Sequence, residues 1–280
     1  MKAEERSNWV RHAAGTENRF EACFTGHAYE PHRHDTYTIA LTLQGVQSFD
    51  YRGNACHSTP GNALILHPDE LHDGRAGTDA AFRYRAIGID PCLIQNILGG
   101  AALPFVDGAI SSDPGILGAA HALLGDLEHP LERLEHQDAL YHLAVSLSRV
   151  AGEKRGRRIG NCAAATRARD YIDACLDQDV SLEMLEHVSG FDRWQLSRDF
   201  RSLYGTSPHR YLVMRRLDRA RGLILAGAPL SDAALACHFS DQSHFTRHFR
   251  KAYGVTPMRW VHLVRSSSAQ TFYRGRSAAS

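Results

Sequence analysis

The chain lacks the features that direct a protein into a membrane or an oxidising compartment. No apolar run approaches the ~18 residues that a membrane-spanning helix requires. Residues 1–10 are charged and contain no apolar segment of the kind found in a secretory signal. The six cysteines have neither C-x-x-C spacing nor the clustering of a disulfide framework. These absences predict a soluble cytoplasmic chain with no membrane partner, and they argue against a zinc or DNA-repair module built on cysteines.

Charge is distributed unevenly along the 280 residues, although the net charge of the whole chain is only +1. Residues 1–155 contain 13 Lys and Arg against 20 Asp and Glu, a net charge of −7. Residues 156–280 contain 19 against 11, a net charge of +8. A chain of this length can form two domains, and the asymmetry indicates that the second one meets a polyanion.

The second half contains one pattern twice. Residues 193–208 and 242–257 match at positions 49 residues apart. The matched pairs are Leu196/Phe245, Arg198/Arg247, Phe200/Phe249, Tyr204/Tyr253, Gly205/Gly254 and Pro208/Pro257. Each copy follows a short apolar helix pattern and a tight turn, which is the layout of a helix-turn-helix unit.

Helical periodicity predicts which side chains of each copy face outward. Leu196, Phe200 and Leu203 share one face of the first helix, because residues three or four apart lie together on a helix. Asp192 resembles the start of a capping box with Gln195. The outward faces carry Trp194, Arg198 and Arg201 in the first copy, and Ser243, Arg247 and Arg250 in the second.

Two such units held by one helix suit duplex DNA. A recognition helix fits the major groove, and two units can enter successive grooves about 34 Å apart. Arginine can bond guanine or clamp phosphate. The alternative is a helical bundle whose arginines are only solvated, but a tandem pair in a basic domain favours nucleic-acid binding.

The stretches "GFDRWQLSRDFRSLYGTSPHRYL" and "HFSDQSHFTRHFRKAYGVTPMRW" resemble the AraC/XylS family of bacterial transcription regulators. This resemblance implies promoter DNA, and with it RNA polymerase, as partners. It further implies that Trp194, Ser197 and Arg198 contact the first major groove, and that Gln242, Ser243, Thr246 and Arg247 contact the second. His238 departs from the family pattern, which has glycine in that turn, and a positive φ there would cost about 1 kcal/mol.

The first half alternates like the strands of a barrel or sandwich. In residues 36–44 Tyr37, Ile39 and Leu41 share one face, and polar or small residues share the other. Residues 46–54, 62–68 and 82–89 give further strand patterns separated by turns. These patterns predict an all-β N-terminal domain before an all-α tandem helix-turn-helix domain.

The stretches "PHRHDTYTIALTLQG" and "PGNALILHPDELHDG" resemble the two motifs of the cupin barrel that serves as effector domain in many AraC-type regulators. By that resemblance His32 and His34 lie on one strand and His72 approaches from the second motif. Together with Tyr37 they form the predicted effector pocket, as hydrogen-bonding groups around an organic ligand. Three imidazoles also suffice for a metal site, and a purely structural role remains open. Metal-binding cupins add a glutamate where this chain has Thr38-Ile39, with His67 and Asp73 as unproven substitutes.

Between the halves, residues 115–152 become helical, with apolar stripes interrupted at Pro130. These stripes either pack on the barrel or, as we favour, form the contact of a homodimer. The predicted division is a cupin-like barrel (1–112), a helical connector (113–151), a flexible linker (152–163), the DNA-binding domain (164–265) and a disordered tail (266–280).

We therefore expect a transcription regulator with no enzymatic activity and no cofactor, whose promoter binding responds to a small-molecule effector in the barrel. The alternative is a metal-dependent cupin sensor, or a cupin enzyme fused to a DNA-binding domain. An enzyme of that kind needs a complete ligand set, which the sequence does not contain.

Overall fold

The computed structural model describes residues 8–13, 18–152 and 162–266. Its N-terminal part is built of antiparallel strands in two sheets. The strands are β1 (Trp9–His12), β2 (Arg19–Phe24), β3 (His27–His32), β4 (Tyr37–Gln44), β5 (Gln47–Tyr51), β6 (Asn54–Ser58), β7 (Ala63–Leu66), β8 (His72–Ala76), β9 (Phe82–Ile89) and β10 (Ile110–Ser111). One sheet has the order β1-β2-β9-β4-β7-β10 and the other the order β3-β8-β5-β6. The predicted β-rich domain is confirmed.

The alternation of β4 divides the core of this domain in two. Tyr37, Ile39 and Leu41 pack against the helices outside the sheet, whereas Ala40 packs inside with Phe49 of the opposite sheet. Successive side chains of a strand point to opposite faces, so the period of the sequence sets this division. The strands predicted over 36–44, 62–68 and 82–89 correspond to β4, β7 and β9.

The single strand pattern predicted over 46–54 is a hairpin in the structure. β5 ends at Tyr51, and the chain turns at Arg52 and Gly53, whose φ angles are 53° and 80°. Positive φ at two successive residues is the geometry of a tight hairpin turn. β6 then begins at Asn54 and pairs back along β5.

The helices account for the connector and the C-terminal domain. They are α1 (Pro91–Ile97), α2 (Pro114–Leu124), α3 (Arg133–Ala151), α4 (Cys162–Ala174), α5 (Leu182–Ser189), α6 (Arg193–Tyr204), α7 (Pro208–Leu225), α8 (Leu230–Ala236), α9 (Gln242–Tyr253) and α10 (257–266). In the described part of the chain no helix combines the length and apolar character needed to cross a membrane. The predicted linker lies mostly in 153–161, and the predicted tail mostly in 267–280, both outside the described residues.

The connector helices pack mainly on the barrel of their own chain. Leu123 of α2, with Leu143 and Leu147 of α3, is fully buried in the same core as β4. The face of α3 that remains open carries Leu134 (76% exposed), Tyr141 (53%) and Val145 (42%). The apolar stripes are therefore divided between the core of the barrel and a surface that is exposed in the described part of the chain.

The C-terminal domain has two cores joined by α7. The first contains Leu196 and Phe200 of α6, and the second contains Phe245 and Phe249 of α9. α7 contributes to both cores, since Leu212 belongs to the first and Leu217 to the second. This is the tandem arrangement that the repeat predicted.

The turn before α9 has the strained backbone that the sequence suggested. His238 adopts φ 61°, a left-handed conformation that costs a side-chain-bearing residue of order 1 kcal/mol. Its Nε2 lies 2.9 Å from Asp179 Oδ1 in the segment between α4 and α5. This contact ties the turn of the second unit to the first unit, which glycine could not do.

Backbone pairing attaches the barrel to the second unit. The Glu30 N–H donates to the Gly254 carbonyl at 2.9 Å, and the Arg33 N–H donates to the Lys251 carbonyl at 3.1 Å. A Cβ on Gly254 would lie 2.7 Å from both the Glu30 oxygen and His32 Nδ1. Gly254 therefore allows β3 to approach the end of α9 this closely, besides capping that helix in the left-handed conformation.

Two buried or half-buried ion pairs extend this interface along α7. Arg215 Nη2 lies 2.8 Å from Asp35 Oδ2, and Arg210 Nε lies 2.8 Å from Asp69 Oδ1. Each pair joins the C-terminal domain to a loop at the mouth of the barrel. The mouth of the barrel is thus covered by the DNA-binding domain.

Candidate functional site

The first recognition helix, α6, presents its predicted face to solvent. Asp192 caps it by accepting from the amides of Trp194 and Gln195. Trp194 is 64% exposed, Arg198 and Arg201 are exposed, and Ser197 is half-buried. The capping box is incomplete, because the Gln195 side chain donates to Asp199 and accepts from Arg198 instead of reaching back to the helix start.

The second recognition helix, α9, also exposes its predicted face to solvent. Unlike α6, it has strand β3 of the barrel beside this face. Gln242, Ser243 and Arg247 are exposed and Thr246 is half-buried. These four residues line an open groove. Its opposite wall is Glu30 and Pro31 of β3, so part of the barrel lies alongside the recognition face.

Arg250 differs from the other predicted DNA contacts because it already has an anionic partner. Its Nε lies 2.9 Å from Glu30 Oε2, and the Nη2 atom also contacts that oxygen. The two side chains are 53% and 41% exposed. In this arrangement of the domains the Arg250 guanidinium is engaged by the Glu30 carboxylate.

A partly open cavity of about 310 Å³ lies between the barrel and the DNA-binding domain. Thr38 and Ala40 of β4 form part of its barrel side, while Met214 and Arg215 of α7 and Trp260 of α10 form part of the other. This volume is at the lower end of the range in which small-molecule sites are found. Neither domain alone encloses it.

Three of the predicted pocket residues meet at one point of this cavity. One ring nitrogen from each of His32, His34 and His72 lies within 4.8 Å of those of the other two. The ring centroids are 4.2 Å apart for His32 and His72, and 4.8 Å apart for His34 and His72. The sequence therefore identified a real cluster.

The prediction that His32 and His34 share a strand is wrong. β3 ends at His32, and His34 lies in the following loop, where its carbonyl accepts from the Asp69 amide at 2.7 Å. Pro31 has no N–H for the strand ladder, and the pairing of β3 with β8 is already irregular before His32. The two rings converge through the bend of the chain rather than through strand alternation.

Tyr37 does not line the cavity. It is 1% exposed, packs in the core between β4 and the helices, and donates its hydroxyl to the Pro104 carbonyl at 2.8 Å. Alternation along β4 directs Tyr37 outward and Thr38 inward. The pocket assignment of Tyr37 is therefore corrected, and Thr38 takes its place in the cavity wall.

The substitutes considered for a missing metal ligand are engaged elsewhere. His67 Nδ1 lies 2.8 Å from the Tyr51 hydroxyl, and its Nε2 accepts from the Val106 amide at 3.0 Å. Asp73 lines the cavity but binds Arg75 at 2.8 Å and the Asp50 amide. Neither joins the cluster of His32, His34 and His72.

Burial keeps the three clustered imidazoles uncharged. It lowers the pKa of His32 well below 6.5, with a further lowering from His72 and His34. Burial likewise lowers the pKa of His34 to about 3 and the pKa of His72 to about 4. At pH 7 each ring is therefore neutral and carries one nitrogen lone pair.

Sequence reasoning missed the Asp35–Arg215 pair, whose members also line the cavity. Asp35 is 4% exposed, and burial raises its pKa to about 6 against the opposing charge of Arg215. The two residues are 180 positions apart. Only the docking of the two domains brings them together, so no local pattern could have predicted the pair.

Comparison with known protein families assigns both halves of the chain. The AraC-like ligand binding domain family matches residues 15–144, and a helix-turn-helix domain family matches residues 185–262. The "Probable transcriptional regulator LumQ" of Photobacterium leiognathi is 37% identical over 241 residues, covering 84% of this chain and 92% of LumQ. The transcriptional activator RhaR of Shigella dysenteriae is 23% identical over 256 residues, covering 86% of this chain and 90% of RhaR.

The two-domain fold also has solved counterparts. The structure of ToxT from Vibrio cholerae with a bound unsaturated fatty acid has a TM-score of 0.63 at 12% identity, covering 94% of this chain and 98% of ToxT. Ligand domain and helix-turn-helix domain thus occur here in the same order and with a shared fold. The chain belongs to the AraC-type family of transcription regulators, which bind promoter DNA under the control of a small-molecule effector.

Proposed function

We propose that α6 and α9 read promoter DNA and that the cavity between the domains is the effector site. The observation that carries this proposal is the shared construction of the cavity, with walls from both the barrel and α7 and α10. A ligand held there touches both domains. Its binding energy therefore depends on how the DNA-binding domain is docked.

We assign the DNA contacts to side chains that lie on the outward faces of the two recognition helices. On α6 we assign Trp194, Ser197, Arg198 and Arg201; on α9 we assign Gln242, Ser243, Thr246 and Arg247, with Arg250 once Glu30 releases it. Arg198 and Arg247 occupy equivalent positions of the repeat. Because arginine can bond the O6 and N7 atoms of guanine together, we assign base reading to this pair.

The effector acts by shifting the population of docked domains. In the arrangement described, β3 lies beside α9 and Glu30 neutralises Arg250. A ligand that favours this docking lowers the affinity for DNA, and a ligand that favours undocking raises it. The sign of the response thus depends on which docking state binds the ligand more tightly.

A second copy of the chain is the partner we assign to the open face of α3. Leu134, Tyr141 and Val145 lie on one side of that helix and leave a stripe of large apolar side chains uncovered. A twofold contact between two such stripes would present two DNA-binding domains to adjacent half-sites. We place the dimer in the bacterial cytoplasm, at promoters with RNA polymerase, and assign it no catalytic activity.

The division of the chain follows the cores. We assign 1–112 to the barrel, 113–151 to the connector, 152–163 to the linker, 164–265 to the DNA-binding domain and 266–280 to the tail. Each DNA-binding unit has its own apolar core, and so has the barrel.

The recognition assignment is tested by replacing the paired arginines singly. Arg198→Ala and Arg247→Ala should each weaken binding to a duplex selected from a random library by about 1–3 kcal/mol. Arg133→Ala, at an exposed position of α3, is the matched control and should leave affinity unchanged. Fluorescence anisotropy on the selected duplex and on random DNA gives the comparison. Equal losses on both DNAs would show that the arginines bind phosphate and do not read bases.

A further inference from the structure

The histidine cluster has an arrangement that ligand hydrogen bonding alone does not explain. His32, His34 and His72 converge from β3, the loop after it and β8, and no acidic side chain is grouped with them among the described residues. We propose that His32, His34 and His72 bind one divalent transition-metal ion of the zinc type through Nε2. The ion would lie at the wall of the cavity, which these three residues also line.

The backbone orients all three rings in the same way. His32 Nδ1 lies 2.8 Å from the Glu30 carbonyl, His34 Nδ1 lies 3.0 Å from the Thr36 carbonyl, and His72 Nδ1 lies 3.0 Å from the Glu70 carbonyl. A carbonyl can only accept, so each Nδ1 carries the proton and each Nε2 keeps its lone pair. Metal-binding histidines are held by this same type of hydrogen bond on their second nitrogen.

The distances require only a small closure around an ion. Nitrogen ligands at 2.0–2.1 Å in tetrahedral geometry lie about 3.3 Å from one another. One ring nitrogen from each histidine lies within 4.8 Å of those of the other two, so the widest of these gaps has to close by at most about 1.5 Å. In the absence of an ion the Thr38 hydroxyl lies 3.1 Å from His34 Nε2 and can donate to it. Rotation of that hydroxyl about its own side chain frees the lone pair.

The chemistry of the donors selects the ion. Three neutral imidazoles without a carboxylate favour zinc, copper, nickel or iron over magnesium or calcium, which prefer oxygen ligands. Three protein ligands also leave a fourth position open toward the cavity. Because imidazoles do not offset the charge of the ion, an anionic oxygen or nitrogen donor of the effector is the group that fits this position.

The site is connected to the recognition helix by two hydrogen bonds. His32 Nδ1 bonds the Glu30 carbonyl, and the Glu30 amide bonds the Gly254 carbonyl at the end of α9. A Cβ on Gly254 would lie 2.7 Å from His32 Nδ1, so the end of α9 is close to that ring. Closure of His32 around an ion therefore displaces the segment that holds α9. The proposal of a metal site depends only on the geometry of the histidine cluster. The proposed effect of the metal on DNA binding depends in addition on the proposed function of the domain interface.

The test uses untagged full-length protein, stripped by dialysis against chelator and titrated with Zn²⁺ by calorimetry at pH 7. The expected result is one ion per chain, with affinity lowered about 100-fold or more in His34→Gln and in His72→Gln. His27→Gln, at an exposed histidine of the same strand β3, should bind as the wild type does. Substitution of Co²⁺ should give the visible absorption of a tetrahedral nitrogen site. Thermal unfolding shows whether His34→Gln and His72→Gln are folded. If one of them is not, the affinity of the other variant for Zn²⁺ decides the result.

Zn²⁺ bound with unchanged affinity by folded His34→Gln or His72→Gln, or no stoichiometric binding to the wild type, would overturn the site. DNA affinity measured with and without Zn²⁺ tests the coupling separately, and we expect a change of about fivefold or more. Stoichiometric binding that leaves DNA affinity unchanged would establish the metal site and contradict the proposed role of the interface.

Discussion

Replacing Glu30 by glutamine is expected to raise the affinity for promoter DNA. Glu30 forms an ion pair with Arg250 of α9, and the same arginine is assigned to DNA once the barrel moves away. Both side chains are about half exposed, so the pair contributes only about 0.2–1 kcal/mol to the docked arrangement. If DNA binding requires that pair to break, Glu30→Gln should raise affinity about 1.4- to 5-fold.

A control is needed because removing any negative charge from the barrel favours DNA through long-range electrostatics. Glu70→Gln makes the same chemical change in a residue whose partner belongs to its own domain, since Glu70 Oε2 lies 3.8 Å from Arg52 Nε. Fluorescence anisotropy at one fixed salt concentration should show a larger gain for Glu30→Gln than for Glu70→Gln. In an Arg250→Ala background the extra gain should disappear, because Glu30 then has no ion pair to lose. This double-mutant cycle isolates the interaction energy of the direct pair. Equal gains for the two glutamine variants, or a gain that persists without Arg250, would show that the Glu30–Arg250 pair does not oppose DNA binding.

Three further predictions concern the turn, the dimer and the domain boundary. His238→Gly should be more stable than His238→Ala by about 1 kcal/mol in denaturant unfolding, since only glycine relieves the positive φ; equal stabilities would mean that the turn is not strained. Tyr141→Glu should shift the chain to a monomer in analytical ultracentrifugation, whereas Val150→Glu, on another side of α3, should not, and a dimer that survives Tyr141→Glu would place the contact elsewhere. A fragment of residues 162–266 should fold and bind one DNA site, and an unfolded fragment would contradict the assigned boundary.

Local periodicity predicted the helices and strands whose buried face follows a regular spacing of apolar residues. The spacing of Leu196, Phe200 and their counterparts in the repeat gave α6 and α9 and their outward faces. The alternation around Ile39 gave β4. In these elements the buried face is set by the sequence period alone, so no knowledge of the neighbours was needed.

Elements with irregular pairing could not be predicted in the same way. β3 and β8 pair with register shifts on both sides of Tyr29, and their sequences show no clean alternation. His34 reaches the cluster through a bend after Pro31, which a strand pattern cannot express. The grouping of His32, His34 and His72 was anticipated only through the resemblance of two motifs, and the structure gave its geometry.

The contacts between the domains were also invisible in the sequence. Arg250 lies one turn after Arg247 on the exposed side of α9, as the sequence predicted, but docking gives it Glu30 as a partner. Asp35 and Arg215 are far apart in the chain and meet only because α7 covers the mouth of the barrel. Such pairs depend on the relative placement of two finished domains, which neither periodicity nor composition encodes.

Docking of the barrel on α9 is expected to oppose DNA binding. Hydrogen exchange of peptides covering residues 27–33, with and without a selected duplex, measures this docking, because the Glu30 and Arg33 amides donate to carbonyls at the end of α9. We expect DNA to accelerate exchange at these two amides as the barrel is released. Unchanged or slower exchange in the DNA complex would instead show that the docked arrangement itself binds DNA.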